Sequence, residues 1–419
     1  MSSDGSSAVD GGSRSGASDR RVIACAGVLV QLGLGSAYAW SVFRRPLSEE
    51  FGWSISVVTV TFSLFVLTAG LVSVLGGLWM QRSGPRPVVV ASGILYGGGV
   101  ALASRSADSL WLLYGSYGVV AGAGMGLGYI VPIAVLQRWF PDRRGLINGI
   151  AVCGIPAGAL IAAPIAGWLV ARSGVLDAFL VLGVAYGAVI IGAGTLLRDP
   201  PRSDAASAPP AARAAQVARD LDLREALGTW HWYALWATFF VSVTAGVGLI
   251  STAAPMAQEL GGVTAGAAAA LTGALFVGDA LGRLLWPWWS DTLGRRRVFV
   301  AILCVQAGAF VMLSAAGSAL AFAVLAMLIL FNYGGSSGTM APFVADLYGP
   351  THVGSIYGLM LTAWGFGGVL GPLVIAAMRD ATGDYSGALL IVAAITALGA
   401  LLPLSLRDRP TAIREPRRG

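Results

Sequence analysis

Lysine is absent from this sequence, so every side chain with a fixed positive charge is an arginine. Charged residues of either sign make up only 11% of the 419 residues, whereas 56% are hydrophobic. A soluble protein of this length could not bury so much apolar surface. The scarcity of charge therefore excludes an ordinary soluble domain and indicates a protein embedded in a membrane.

Cysteine and histidine are also scarce. Cys25, Cys153 and Cys304 are scattered through apolar segments, which indicates small buried side chains rather than disulfides or a metal cluster. His231 and His352 have no metal-ligating neighbour. The sequence shows no nucleophile constellation and no Gly-x-x-x-x-Gly-Lys loop. We therefore predict that the chain is not an enzyme, takes no metal or cofactor, and does not use ATP directly.

Long apolar stretches dominate what remains. They recur about twelve times, and most have the roughly 20 residues needed to cross a hydrocarbon core of about 30 Å. The predicted fold class is an all-α membrane protein with twelve transmembrane helices in two six-helix halves. The predicted domains are a disordered cytoplasmic tail (1–21), an N-terminal six-helix bundle (22–197), a cytoplasmic linker (198–229), a C-terminal six-helix bundle (230–406) and a second cytoplasmic tail (407–419).

The arginines between these stretches predict the orientation. One set of alternating loops and tails carries 21 of them and the opposite set carries five. By the positive-inside rule both termini are cytoplasmic, and the same rule explains the net charge of +6 better than binding to nucleic acid does. The first 19 residues contain no apolar core, so no cleavable signal peptide is predicted. We expect a multi-pass protein of the plasma membrane, surrounded by lipid and functional as a monomer.

An internal repeat supports the division into halves. Residues 81–86 (Gln-Arg-Ser-Gly-Pro-Arg) match residues 291–296 (Asp-Thr-Leu-Gly-Arg-Arg) at an offset of 210. Pro141, Gly145, Gly149 and Gly158 match Pro350, Gly354, Gly358 and Gly367 at an offset of 209. Duplicated halves with a site at their interface are typical of alternating-access carriers.

Asp279 and Arg283 lie inside the predicted span Thr264 to Trp289. Placing either charge near the centre of a bilayer costs about 2.5 to 3.5 kcal/mol, so the pair must face protein or water. A spacing of four puts both side chains on one helical face. If Asp279 is protonated in one state and paired in another, Arg283 becomes alternately free and occupied, as a proton-linked anion site requires. The alternative is a structural ion pair between helices.

Four aromatic residues are further candidates for contact with a substrate. Tyr129 and Tyr333 each stand beside glycines, where the backbone can approach a ligand. Tyr38 is another possible hydroxyl donor, and Trp364 could form an apolar wall. For each of them, packing between helices is the alternative.

The loop Asp291-x-x-Gly294-Arg295-Arg296 resembles the loop motif of the major facilitator superfamily. The motifs Tyr38-Ala-Trp-Ser-Val-Phe, Phe140-Pro-Asp-Arg-Arg144-Gly and Asp279-x-x-x-Arg283 narrow the resemblance to the monocarboxylate transporters and oxalate/formate antiporters. The resemblance implies that Arg283 binds the substrate carboxylate and Asp279 couples it to a proton. It also implies a cytoplasmic gate, to which we assign Arg82, Arg86, Asp291, Arg295 and Asp346. The alternatives are basic loops that only follow the topology and, for Asp346, a solvated helix end.

The sequence departs from these families where they carry membrane lysines. Val42 and Trp364 stand at the two positions concerned, which leaves one embedded positive charge for a substrate. A dianion would keep one carboxylate unpaired, at a cost of several kcal/mol. We predict a secondary active transporter that moves a small monocarboxylate, of the lactate or pyruvate type, together with a proton. The alternative is an organic-anion antiporter of the oxalate/formate type.

Overall fold

A computed structural model of the chain describes residues 10–200 and 220–406, and every regular element in those residues is a helix. The first part contains α1 (Asp10–Gly35), a 3-10 turn (Ser36–Trp40), α2 (Ser41–Phe51), α3 (Ile55–Ser83), α4 (Pro85–Leu102), a 3-10 turn (Ala103–Arg105), α5 (Leu110–Leu113), a π-helical segment (Tyr114–Ala121), α6 (Gly122–Trp139), a 3-10 turn (Pro141–Arg143), α7 (Arg144–Val152), α8 (Gly154–Ser173) and α9 (Val175–Gly194). The second part contains α10 (Leu223–Leu227), α11 (Trp230–Gly261), α12 (Ala265–Leu293), α13 (Arg295–Ser314), α14 (Ala319–Tyr348), α15 (Val353–Met360), α16 (Thr362–Thr382), α17 (Tyr385–Gly399) and α18 (Leu401–Ser405).

Helices long and apolar enough to cross a membrane dominate this fold. Eleven such stretches occur among the described residues. The remaining predicted span, Thr264 to Trp289, is not among the eleven, but it coincides with α12, a continuous helix of 29 residues. The prediction of a multi-span helical membrane protein is therefore confirmed.

The structure describes parts of the predicted N-terminal tail and of the predicted linker. Residues 10–21 were expected to be part of a disordered tail, whereas α1 begins at Asp10. Gly11, Gly12 and Gly16 oppose a helix here, but these residues contain no proline, which would interrupt it most strongly. The end of the predicted linker is also ordered: the amide of Leu221 donates to the carbonyl of Tyr348 at 2.9 Å, and Asp222 caps α10. Residues 1–9, 201–219 and 407–419, which include most of the predicted linker and the second tail, lie outside the described residues.

Glycines with positive φ mark the turns between the helices, and most of them occur in pairs. Gly84 (φ +79°) and Gly294 (φ +87°) end α3 and α12 and stand 210 residues apart. The pairs Gly52 with Gly262 and Gly174 with Gly383 have nearly the same spacing and also lie at helix ends. Glycine reaches this conformation without steric cost. The internal repeat seen in the sequence is thus repeated in the backbone geometry.

Small residues let helices of the two parts approach closely. α3 packs against α15 and α16, while α7 packs against α12 and α14. At one crossing a Cβ on Gly70 would lie 2.8 Å from the Cα of Gly365. At another a Cβ on Gly149 would lie 2.6 Å from the carbonyl oxygen of Arg283. The second crossing brings α7 against the middle of α12, where the charged pair lies.

Candidate functional site

The charged pair of α12 is turned into the helix bundle. The side chains of Arg283 and Asp279 are 3% and 4% exposed, and they are the only charged residues buried among those whose burial the structure describes. Nε of Arg283 donates to both carboxylate oxygens of Asp279, at 2.9 and 3.1 Å. α14 makes room for the pair with glycine, because a Cβ on Gly334 would collide with the backbone oxygen of Asp279. Breaking such a buried pair by removing one partner costs about 3 to 5 kcal/mol.

Arg283 uses only one of its three nitrogens in this ion pair. Its Nη1 and Nη2 have no hydrogen-bond acceptor in the described parts of the chain. The ring of Tyr333 lies against the guanidinium, with 5.6 Å between the ring centroid and Cζ. Two parallel N–H donors at the end of a guanidinium match the two oxygens of a carboxylate. Arg283 is therefore paired with Asp279 through Nε, and Nη1 and Nη2 remain as unused donors.

A cavity lies beside Arg283, between helices from both parts of the chain. It brings together four of the predicted residues: Tyr38, Tyr129, Arg283 and Trp364. The other lining residues were not predicted: Ala69, Ser73, Met125, Gly126, Ile155, Phe239, Ser337 and Leu361. The cavity volume open to the centre of a water molecule is only about 20 Å³, so the site is nearly closed in this state.

Tyr333 supports the site from behind. It is fully buried and does not line the cavity. Its hydroxyl accepts a hydrogen bond from Nε1 of Trp364 at 3.2 Å, while its ring lies against Arg283. The sequence analysis predicted that Tyr333 contacts the substrate. In the structure Tyr333 lies next to the site and contacts Arg283 and Trp364, but it does not line the cavity.

Two serines on the cavity wall escaped the sequence analysis. Ser73 of α3 and Ser337 of α14 are buried, and both line the cavity. Serines in apolar helices resemble ordinary packing residues, so neither serine stood out in the sequence. A signal was present in the repeat, because Ser73 stands 210 residues before Arg283 and is its counterpart in the first half.

A cluster of charges links the end of α12 and the start of α13 to the end of α14 and the start of α7. Asp346 accepts from Arg295 Nε at 2.9 Å and from Arg144 Nη1 at 3.2 Å. Asp291 accepts from Arg295 Nη2 at 2.6 Å and from the backbone amides of Gly145 and Leu146 at 3.0 and 3.1 Å. A carboxylate at these amides satisfies the free donors at the start of α7. The cluster joins the two parts of the chain.

The other two residues assigned to the gate lie outside this cluster, and their role at a gate stays a prediction. Nε of Arg86 donates to the carbonyl of Leu197, within the same part of the chain. Arg82 is exposed and makes no hydrogen bond within residues 10–200 or 220–406. The first copy of the motif connects the two parts through a residue that was not predicted, since Gln81 Nε2 donates to Ser355 Oγ at 2.8 Å. Arg144, also unpredicted, takes a place in the charged cluster.

Comparison with known proteins agrees with the architecture. The sequence profile of the Major Facilitator Superfamily matches residues 24–261 and 235–419. The oxalate:formate antiporter of Oxalobacter formigenes is 27% identical over 81% of this chain and 81% of its own. Monocarboxylate transporter 11 of Mus musculus is 29% identical over 92% of this chain and 87% of its own.

Solved structures show the same fold. The proton:xylose symporter XylE superposes with a TM-score of 0.75 over 92% of this chain and 95% of its own, at 14% sequence identity. Because the profile match spans both parts of the chain and the relatives include the two groups that the motifs indicate, the family resemblance is confirmed. The chain belongs to the major facilitator superfamily, and it is a transporter rather than an enzyme.

Proposed function

We propose that this protein is a secondary active transporter that moves a small monocarboxylate together with a proton by alternating access. The observation that carries the proposal is the state of Arg283. It is a buried cation, paired through Nε alone, with its two outer nitrogens available beside a nearly closed cavity. A buried guanidinium of this kind is suited to hold a carboxylate with two parallel hydrogen bonds.

The charge balance at the site supports coupling to a proton. Ionised Asp279 and Arg283 form a neutral pair, so a carboxylate that binds to the outer nitrogens adds one uncompensated negative charge. An isolated charge in a buried site is unfavourable. Protonation of Asp279 removes that excess and leaves Arg283 to neutralise the substrate. The loaded site then carries one anion and one proton, and its movement across the membrane is electroneutral.

The cavity supports a monoanion as the substrate. Among the residues whose burial is described, Arg283 is the only buried cation, and Trp364 lines the cavity where the family resemblance implies a lysine. The remaining wall is largely apolar, with Met125, Ile155 and Phe239 available to an alkyl group. A second carboxylate would have no cation to pair with.

The proposed architecture is two six-helix halves, residues 22–197 and 230–406, in which α12 is the eighth of twelve spans. The pairs of turn glycines at offsets of 209 and 210 support this division. We also propose that both termini are cytoplasmic, that the protein works as a monomer in the plasma membrane, and that the cluster of Arg144, Asp291, Arg295 and Asp346 is its cytoplasmic gate.

Exchange of one organic anion for another is the second candidate function. The relative from Oxalobacter formigenes, named as an oxalate:formate antiporter, favours it. Both candidates use Arg283 as the anion site, but they differ in the return step. A symporter returns with an empty site, whereas an antiporter returns with a second anion bound.

Uptake of labelled lactate into proteoliposomes separates the two. Symport predicts accumulation driven by an acidic exterior when the lumen contains no organic anion. Exchange predicts uptake that requires a counter-anion inside and does not respond to the pH gradient alone. Failure of every small monocarboxylate to enter or compete would overturn the proposed site itself.

A further inference from the structure

Ser73 and Ser337, the two serines that line the cavity, each donate their hydroxyl proton to a backbone carbonyl of their own helix. Ser73 Oγ donates to the carbonyl of Ala69 at 2.7 Å, and Ser337 Oγ donates to the carbonyl of Tyr333 at 3.1 Å. A hydroxyl has one proton and two lone pairs. Each serine, one from α3 and one from α14, therefore keeps only acceptor lone pairs for a further partner, and both residues line the cavity.

The cavity thus combines donors and acceptors. Arg283 offers N–H groups from Nη1 and Nη2, which suit a carboxylate. Ser73 and Ser337 offer lone pairs, which suit a hydroxyl group. The hydroxyls of Tyr38 and Tyr129 can rotate either to donate or to accept, so they favour neither a hydroxyl nor a carbonyl on the substrate. The serines are consequently the groups that can tell these two substituents apart.

Building on the proposed function, in which Arg283 holds the carboxylate, we propose that the site selects 2-hydroxy monocarboxylates over 2-oxo and unsubstituted acids of the same length. Ser73 is the residue that we assign to accept the hydrogen bond from the 2-hydroxyl. A 2-oxo group has no proton to give, and Ser73 could donate to it only by breaking its bond to Ala69. An unsubstituted acid leaves the acceptors without a partner. A site built to bond a substrate hydroxyl discriminates against analogues that lack it.

Competition measurements on the full-length protein in proteoliposomes test this inference. Lactate, pyruvate and propionate have the same three-carbon length and differ only at the second carbon. We expect lactate to compete best, by roughly fivefold over the other two, as for one neutral hydrogen bond. In Ser73→Ala that advantage should disappear through weaker binding of lactate, while competition by propionate stays the same.

Ser116→Ala is the matched control. Ser116 is buried and donates to the carbonyl four residues before it, at 2.6 Å, as Ser73 does, but it does not line the cavity. Its replacement should leave the lactate to propionate ratio unchanged.

Two results would overturn the inference while leaving the proposed function intact. The first is wild-type protein that binds all three acids equally. The second is a Ser73→Ala variant that weakens all three by the same factor, which would indicate a packing role. If none of the acids competes in the wild type, the proposed function fails together with the inference.

Discussion

Replacing Arg283 with lysine keeps the positive charge but removes the geometry on which the site depends. In the structure one guanidinium serves two partners at once: Nε bonds both oxygens of Asp279, and Nη1 and Nη2 remain available. A lysine ammonium concentrates its donors on one nitrogen, so it cannot face Asp279 along one edge and a substrate carboxylate along another. We expect Arg283→Lys to remain folded but to lose most of its transport.

The expected size of this loss follows from the hydrogen bonds. A bond to a charged group contributes about 1.5 to 3 kcal/mol, and the lysine forfeits at least one of the two bonds to the substrate along with the shared pairing to Asp279. A loss of about 3 kcal/mol weakens binding by a factor of about 150. The effect should therefore be far outside the variation between protein preparations.

The assay is initial lactate uptake into proteoliposomes, normalised to folded protein measured by size-exclusion chromatography. Arg45→Lys is the matched control, because Arg45 also pairs with an acid four residues away, Glu49, but their side chains are 82% and 63% exposed. Exposed pairs contribute about 0 to 1 kcal/mol, so this control should transport normally. Near-normal uptake by Arg283→Lys would refute the proposal that the guanidinium pairs with Asp279 and the substrate at once, and it would assign the residue a structural role.

Three further predictions concern selectivity, packing and the gate. Monocarboxylates should compete better than dicarboxylates of similar size, and better competition by oxalate than by formate or lactate would contradict the argument from a single positive charge. Gly334→Ala should destabilise the protein by about 1 to 3 kcal/mol, because its Cβ meets the backbone of α12, whereas Gly98→Ala, with nothing within 4 Å of its Cβ, should not lower the melting temperature. Asp291→Ala should speed hydrogen exchange at the first amides of α7, which it caps, and unchanged exchange would show that the cap does not hold this segment.

The central pair was predictable because charge is so costly in an apolar helix. Asp279 and Arg283 stand out against a sequence that is only 11% charged, and their spacing of four fixes a shared face whatever the rest of the fold does. The motif at Asp291 and Arg295 was predictable for a similar reason, since a glycine turn followed by arginines marks the end of a membrane helix.

The positions of individual side chains around the pair were harder to predict. Periodicity places Tyr333 on α14 but does not fix how that helix rotates, and the structure puts its ring behind Arg283. Arg86 resembles a gate residue in the repeated motif, yet a carbonyl in its own half already satisfies its Nε. Whether an arginine crosses an interface depends on which acceptor lies nearest in space, and the sequence alone does not contain that information.

The coupling role of Asp279 is the centre of this account, and the variant Asp279→Asn tests it most directly. The amide is permanently neutral, so the substrate can still bind Arg283 without excess charge, and exchange of external for internal lactate should persist. Accumulation of lactate driven by an acidic exterior should disappear, because no proton can accompany the anion. Wild-type protein measured in parallel should show both activities, with substrate affinity rising as the external pH falls. Continued accumulation by Asp279→Asn, with a pH difference as the only driving force, would contradict the account and reduce Asp279 and Arg283 to a buried ion pair.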